Sequence, residues 1–173
     1  FFRFYKEKMN ALPYEPNITH KKLTELEQSG KLKAIITQNI DGLHQKCGSK
    51  NVLELHGSIL RNFCMKCHTF YDANYVFESV EVPRCTCGSI IKPDVVLYEE
   101  PLDETILTKA IQKIEEAEVL IVAGTSLSVY PANRLILYFK GKKLVLLNKD
   151  DTPYDTLANL VIHDSLGNIF KYV

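Results

Sequence analysis

Apolar residues in this chain come as short continuous runs, divided by stretches of helical spacing. Residues 33–37, 52–56, 93–98, 118–123, 144–147 and 160–162 are each short and apolar and read as strands. Between them, Ile18, Leu23 and Leu26, with Gly30 just past the end, predict a helix over residues 17–29. Asp103 can cap a second helix whose apolar face is Ile106, Leu107, Ala110, Ile111 and Ile114. Pro131 suits the first turn of a third, which Gly141 ends, and a last helix starts at Leu166. Residues 1–9 read as the end of a helix, broken by Pro13 and Pro16. Strands alternating with helices predict an α/β fold, a parallel sheet with helices on both faces. Residues 62–89 break the pattern: cysteines, aromatics and polar residues, with no long periodic segment.

Composition narrows the function classes. The 173 residues suffice for one domain, or one domain and a small module. Formal net charge is zero, so nothing favours capture of nucleic acid or of an anionic membrane surface. No apolar run reaches the roughly 18 residues of a membrane span, and no signal peptide is visible. The chain opens Phe1-Phe2-Arg3-Phe4-Tyr5 without an initiating Met, which reads as a fragment of a longer protein.

Five cysteines cannot form a complete intramolecular disulfide set. Four stand as Cys64-x2-Cys67 and Cys85-x-Cys87, seventeen residues apart, the arrangement of a tetrahedral structural zinc ribbon. The second pair is one residue short of the common spacing and gives a tighter bite. Four sulfurs fill the shell, so the metal holds structure and does no chemistry. His68 reads as surface and Cys47 as a plain small side chain. Unliganded buried or redox thiols are the other reading of the four.

Candidate chemistry concentrates in residues 37–58, TQNIDGLHQKCGSKNVLELHGS. An amide (Asn39), a carboxylate (Asp41) and an imidazole (His56) follow strand signals, where open α/β sheets bind ligands. Singly, Asn39 and Asp41 beside Gly42 could be turn formers, and His56 an ordinary half-buried histidine. Gly124, Thr125 and Ser126 lie between a strand and a helix, a nucleotide-contacting position or a plain turn. Asn148, at the end of the next strand, could bond ribose hydroxyls or be a simple turn residue. The eight glycines include no Gly-x-Gly, so the usual phosphate-binding turn is absent from this chain.

Together these segments resemble the sirtuins, NAD-dependent protein deacylases, and the short loops lean toward a bacterial type. The resemblance runs through TQNIDGLH (37–44), LELHGS (53–58), the four cysteines, KPDVVLYEE (92–100), GTSLSVYPA (124–132) and LLN (146–148). It implies a Rossmann-like NAD-binding domain formed by residues 1–61 and 93–173, with a zinc-ribbon module over 62–92. It implies His56 as catalytic base, with Asn39 and Asp41 holding the nicotinamide ribose and pocket and Ile40 beside the carboxamide. Gln38 would bond a ribose. Gly124, Thr125, Ser126 and Asn148 would take the adenosine half, with Ser165 against the adenine. Val95, Val96 and Tyr98 would line the acyl-lysine tunnel and pair with the substrate backbone as an added strand. The resemblance implies an acyl-lysine protein or peptide as partner and NAD and Zn2+ as cofactors, while the even charge balance and reduced-looking thiols suggest the cytoplasm. A neutral imidazole near its ordinary pKa suits the activation of a ribose hydroxyl.

Departures from the family pattern matter. Glu99 stands where the family usually has a glycine, and the second cysteine pair is short. The glycine-rich phosphate loop and the flexible loop that closes over NAD lie upstream of where Phe1 matches. The expectation is therefore that this chain alone lacks a full NAD site. Two other readings stand beside deacylation: a protein ADP-ribosyltransferase of the same fold, and a non-enzymatic zinc-ribbon interaction module.

Overall fold

The computed structural model describes all 173 residues except Val129 and Pro131, so the role expected of Pro131 lies outside the described residues. Along the chain the elements are α1 (Phe2–Lys8), α2 (Ile18–Gln28), β1 (Ile35–Thr37), α3 (Leu43–Lys46), β2 (Val52–Glu54), β3 (Gly57–Cys64), β4 (Phe70–Tyr71), α4 (Ala73–Glu78), β5 (Ile91–Val95), α5 (Glu104–Glu116), β6 (Val119–Ala123), β7 (Lys143–Asn148), β8 (Leu160–His163) and α6 (Leu166–Ile169). Short 3-10 segments cover Ala132–Tyr138, Asp155–Leu157 and Phe170–Tyr172.

The helices begin where their caps place them. The Asn17 side chain accepts from the N–H groups of Thr19 and His20, and the His20 ring closes a capping box at α2. The Asp103 carboxylate accepts from the Ile106 N–H at 2.9 Å and opens α5. The buried face of α5, Ala110 and Ile114, packs with Leu55, Leu135, Ile36, Leu53 and Leu120. This one helix thus covers both the β1/β2 region and β6.

Parallel pairing follows the apolar runs. Thr37 lies opposite Glu54 in β1/β2, and β7 runs between β6 and β8, each pair parallel. In β7, Leu144, Leu146 and Leu147 are buried, while Val119 and Ile121 of β6 stay exposed. Residues 132–138 wind as a 3-10 helix rather than the α-helix expected. Its successive Leu135 and Ile136 enter two different core clusters.

The cysteine segment holds more structure than its sequence suggests. β3 is the centre of an antiparallel sheet with β4 and β5, and α4 packs beside it. The alternation of β3 is hidden because Ser58 and Asn62 occupy buried positions. There the Asn62 amide N–H2 group donates to the carbonyls of Ile59 (3.2 Å) and Tyr71 (3.3 Å), while its Oδ1 is buried without a partner among the described residues. A register shift between Ser58 and Asn62 also breaks the period of two. Helix α1 lies on this sheet: Tyr5 stacks on Phe77 with ring centroids 5.3 Å apart and shares a cluster with Ile59, Val76 and Ile91.

β5 approaches β3 most closely at Gly57, whose φ is +76°. A Cβ there would stand 2.0 Å from the Asp94 carbonyl oxygen. Gly57→Ala should therefore destabilise the protein by at least about 2 kcal/mol, through overlap added to left-handed backbone strain. Gly30→Ala, with φ +73° and open space around it, should cost only about 1 kcal/mol. Denaturant unfolding of both variants checks this, and equal losses would contradict it.

Candidate active site

Because β1 and β2 are parallel and in register, the segments that follow them emerge side by side. The Leu55 N–H donates to the Thr37 carbonyl at 2.9 Å, carrying the pairing to the residue before His56. The Asn39 N–H donates to Thr37 Oγ1 at 3.1 Å, and the Ile59 N–H to the Ile40 carbonyl at 3.0 Å. The loop bearing Gln38, Asn39, Ile40 and Asp41 is thus tied at both ends. Asp41 does make a turn: its Oδ1 accepts from the Leu43 N–H at 2.9 Å and starts α3. Asn39 is exposed, and its side chain has no partner among the described residues.

His56 sits between two attachments. Its Nδ1 lies 3.0 Å from the Gln38 carbonyl oxygen. A carbonyl only accepts, so Nδ1 carries the proton and Nε2 of the neutral ring keeps a free lone pair. On its main chain, the His56 carbonyl accepts from the Val96 N–H at 3.0 Å. Sequence reasoning gave Gln38 a ribose contact. In the structure its main-chain carbonyl is what sets the tautomer of His56.

Behind Asp41 stands a pair of histidines that sequence reasoning missed. The rings of His20 and His44 are 4.7 Å apart between centroids, and His44 Nδ1 is buried without a partner among the described residues. Burial holds both imidazoles below their ordinary pKa, and for His44 the neighbouring His20 adds to it, while Asp41 opposes in each. Both are neutral at pH 7. The signal was their placement, His20 at the start of α2 and His44 on α3, faces that meet only in three dimensions.

A second group of polar side chains lies at the carboxyl ends of β6, β7 and β8, which share one direction. The Gly124 N–H donates to the Leu147 carbonyl at 2.9 Å, closing the turn after β6. Thr125 Oγ1 accepts from the Leu127 N–H at 3.2 Å, and the hydroxyls of Ser126 and Ser128 meet at 2.5 Å. Asn148 donates from its amide to the Asp150 carbonyl at 2.9 Å, leaving its side-chain oxygen open. Ser165 caps α6 through the Asn168 N–H at 3.3 Å. These contacts are those of turns and a helix cap, as the plain-turn readings expect.

Val95 closes β5, Val96 continues beside His56, and Tyr98 is fully exposed. β5 is an edge strand of its sheet, so this stretch has a side that no other strand covers.

The four cysteines converge. Sγ atoms of Cys64 and Cys87 are 3.5 Å apart, Cys67 and Cys85 3.5 Å, and Cys67 and Cys87 3.7 Å. A tetrahedron with Zn–S bonds near 2.3 Å has sulfurs about 3.8 Å apart, so the set fits zinc. The N–H of Cys87 and the Tyr71 hydroxyl bring the Cys85 thiol down to about 5, the thiolate a metal needs. The short second pair reaches the cluster all the same. Cys47 stands apart, and His68 is exposed outside the set.

Comparison with known proteins agrees with this geometry. Residues 1–131 match the Sir2 family. An NAD-dependent protein deacetylase of Clostridium perfringens is 60% identical over 175 residues, covering 100% of this chain and 72% of that protein. One of Clostridium tetani is 60% identical over 171 residues, covering 98% of this chain and 69% of its own. A solved Sir2 complex with p53 peptide and NAD+ superposes with a TM-score of 0.94 at 40% identity, covering 100% of this chain and 75% of that one. A Sir2 structure bound to acetylated peptide gives 0.93 at 39%, covering 100% and 76%. By sequence and by fold, this chain belongs to the Sir2 family.

Proposed function

We propose that this protein is an NAD-dependent protein-lysine deacylase, releasing nicotinamide and O-acyl-ADP-ribose. The observation that carries the reading is His56, with Nδ1 committed to the Gln38 carbonyl, Nε2 free, and its main chain joined to Val96. The relatives named deacetylases support it. NAD, when bound, supplies an anomeric carbon with a good leaving group, to which the substrate's acyl oxygen can bond. Asn39 and Asp41 would hold the nicotinamide end, with Ile40 beside its carboxamide, and Gln38 would bond a ribose. Thr125, Ser126 and Asn148, on the turn opened by Gly124, offer hydroxyls and an amide to the adenosine half, with Ser165 beside them. His56 Nε2 accepts a proton from a ribose hydroxyl, which its tautomer suits.

The peptide edge, Val95, Val96 and Tyr98, takes the substrate as an added strand and delivers its acyl-lysine toward His56. Cys64, Cys67, Cys85 and Cys87 bind one structural zinc. On this reading, residues 62–92 form the zinc module, and residues 1–61 and 93–173 the NAD-binding domain. Among the described residues, no helix is long and apolar enough to cross a membrane. A reducing cytoplasm, which keeps four thiolates available to zinc, is the compartment this reading gives.

His56→Ala should leave fold and zinc content intact and lower deacylation at least about 100-fold. Retained circular dichroism with undiminished turnover of an acetyl-lysine peptide would contradict the role. Zinc should be present at one per chain by elemental analysis, and its removal with a chelator should lower the Tm sharply. A metal-free protein of unchanged Tm would exclude the structural zinc.

A further inference from the structure

The turn that closes the peptide edge carries one acidic side chain with nothing to hold it. Around it, the charges on the two strands and at position 100 are committed. Arg61 spans Asp94 (2.7 Å) and Glu54 (2.8 Å). Glu100 accepts from the Leu97 N–H at 2.9 Å and pairs with Lys92 at 3.1 Å, while Lys92 also donates to the Val95 carbonyl at 3.2 Å. These contacts, with the Glu100 N–H on the Leu97 carbonyl at 3.1 Å, lock residues 97–100 into a tight turn. Glu99 is the exception: it is exposed and has no hydrogen-bond or ion-pair partner among the described residues. Its φ is +68°, a conformation that suits glycine and that a glutamate adopts only under constraint. Strain of this kind persists where surrounding structure imposes it, and it gathers at binding and catalytic sites. Next to it, Tyr98 exposes its whole ring, 102%.

We infer that Glu99 is a specificity-determining residue, favouring acyl-lysine substrates with a basic residue two or three positions from the modified lysine. The inference rests on the deacylase reading and deepens it. A peptide laid along residues 95–98 with its acyl-lysine beside Val96, and so beside His56, meets Glu99 three residues further on. Because residues 97–100 turn back, Glu99 stands nearer to Val96 than the about 10 Å of a fully extended three-residue span, within two to three substrate positions. Lys92 pairs with Glu100, while Asp103 and Glu104, without an ion-pair partner among the described residues, add to the negative field of Glu99. A lysine or arginine there is attracted and an acidic residue repelled, with the exposed Tyr98 ring available to the aliphatic stem of the basic side chain. The effect is selective binding, since the charge lies off the reacting atoms.

The test uses the full natural protein, zinc-loaded, with NAD and two sets of acetyl-lysine peptides. One set carries lysine or arginine two and three residues from the acetyl-lysine on either side, the other glutamate. At low salt, kcat/KM should favour the basic set by about fivefold, with the difference in KM, and the ratio should fall toward one at about 0.5 M salt. Glu99→Gln, which keeps the turn, and Glu99→Gly, which also relieves its strain, should both bring the low-salt ratio close to one. Equal kcat/KM for the two sets in the natural protein, or an undiminished ratio in Glu99→Gln, would overturn the inference and leave deacylation standing. Absence of turnover with every peptide would overturn the deacylase reading and the inference with it.

Discussion

The hydrogen bonds on the two sides of His56 are the constraint on which the rest of the site depends. The Gln38 carbonyl fixes the ring tautomer from one side, and the Val96 N–H fixes the main chain from the other. Each needs a different piece of the fold. The first requires β1 and β2 to be parallel and in register, so that residue 38 and residue 56 leave their strands together. The second requires β5 to cross close behind Gly57, where only a missing Cβ leaves room for the Asp94 carbonyl. The parallel layer thus positions His56, and the antiparallel layer presents an edge to it.

That junction explains the distance between the cysteines and the chemistry. β3 runs without interruption from Gly57 to Cys64, and β5 pairs Ile91 with Cys64 at one end and Val95 with Gly57 at the other. Zinc binding in small thiolate modules contributes roughly 10–16 kcal/mol, comparable with the whole stability of an ordinary domain. The buried cluster around it joins Tyr5 of α1, Ile59, Val76 and Ile91 with Cys64 and Cys85, so two of the four sulfurs are themselves part of this layer's core. Four sulfurs leave no open coordination position, and the ion acts by holding the far end of β3, the strand that begins at Gly57 next to His56.

Strong local patterns were legible in the sequence. The apolar runs of β1, β2, β6, β7 and β8, the Asn17 and Asp103 caps and the two cysteine pairs each announce themselves within a few residues. The segment 37–58 likewise marked the place where Asn39, Asp41 and His56 gather. What escaped were features whose cause lies elsewhere in the chain. Asn62 faces inward with its amide N–H2 group bonded to the Ile59 and Tyr71 carbonyls, so β3 reads as polar and irregular. The His20–His44 pair exists only because α2 and α3 meet. Gln38 matters to His56 through its main chain, which carries no sequence signal. Glu99 was visible as a departure from a family pattern, but its left-handed backbone and its lack of a partner needed three dimensions.

Product analysis tests the central claim most directly. The full protein, with NAD and an acetyl-lysine peptide, should release nicotinamide, O-acetyl-ADP-ribose and deacetylated peptide in equal amounts, and nicotinamide release should depend on the peptide. Nicotinamide release accompanied by ADP-ribosylated protein, with the acetyl group still on lysine, would contradict deacylation and favour the transferase. No nicotinamide release from folded, zinc-loaded protein would favour a non-enzymatic module.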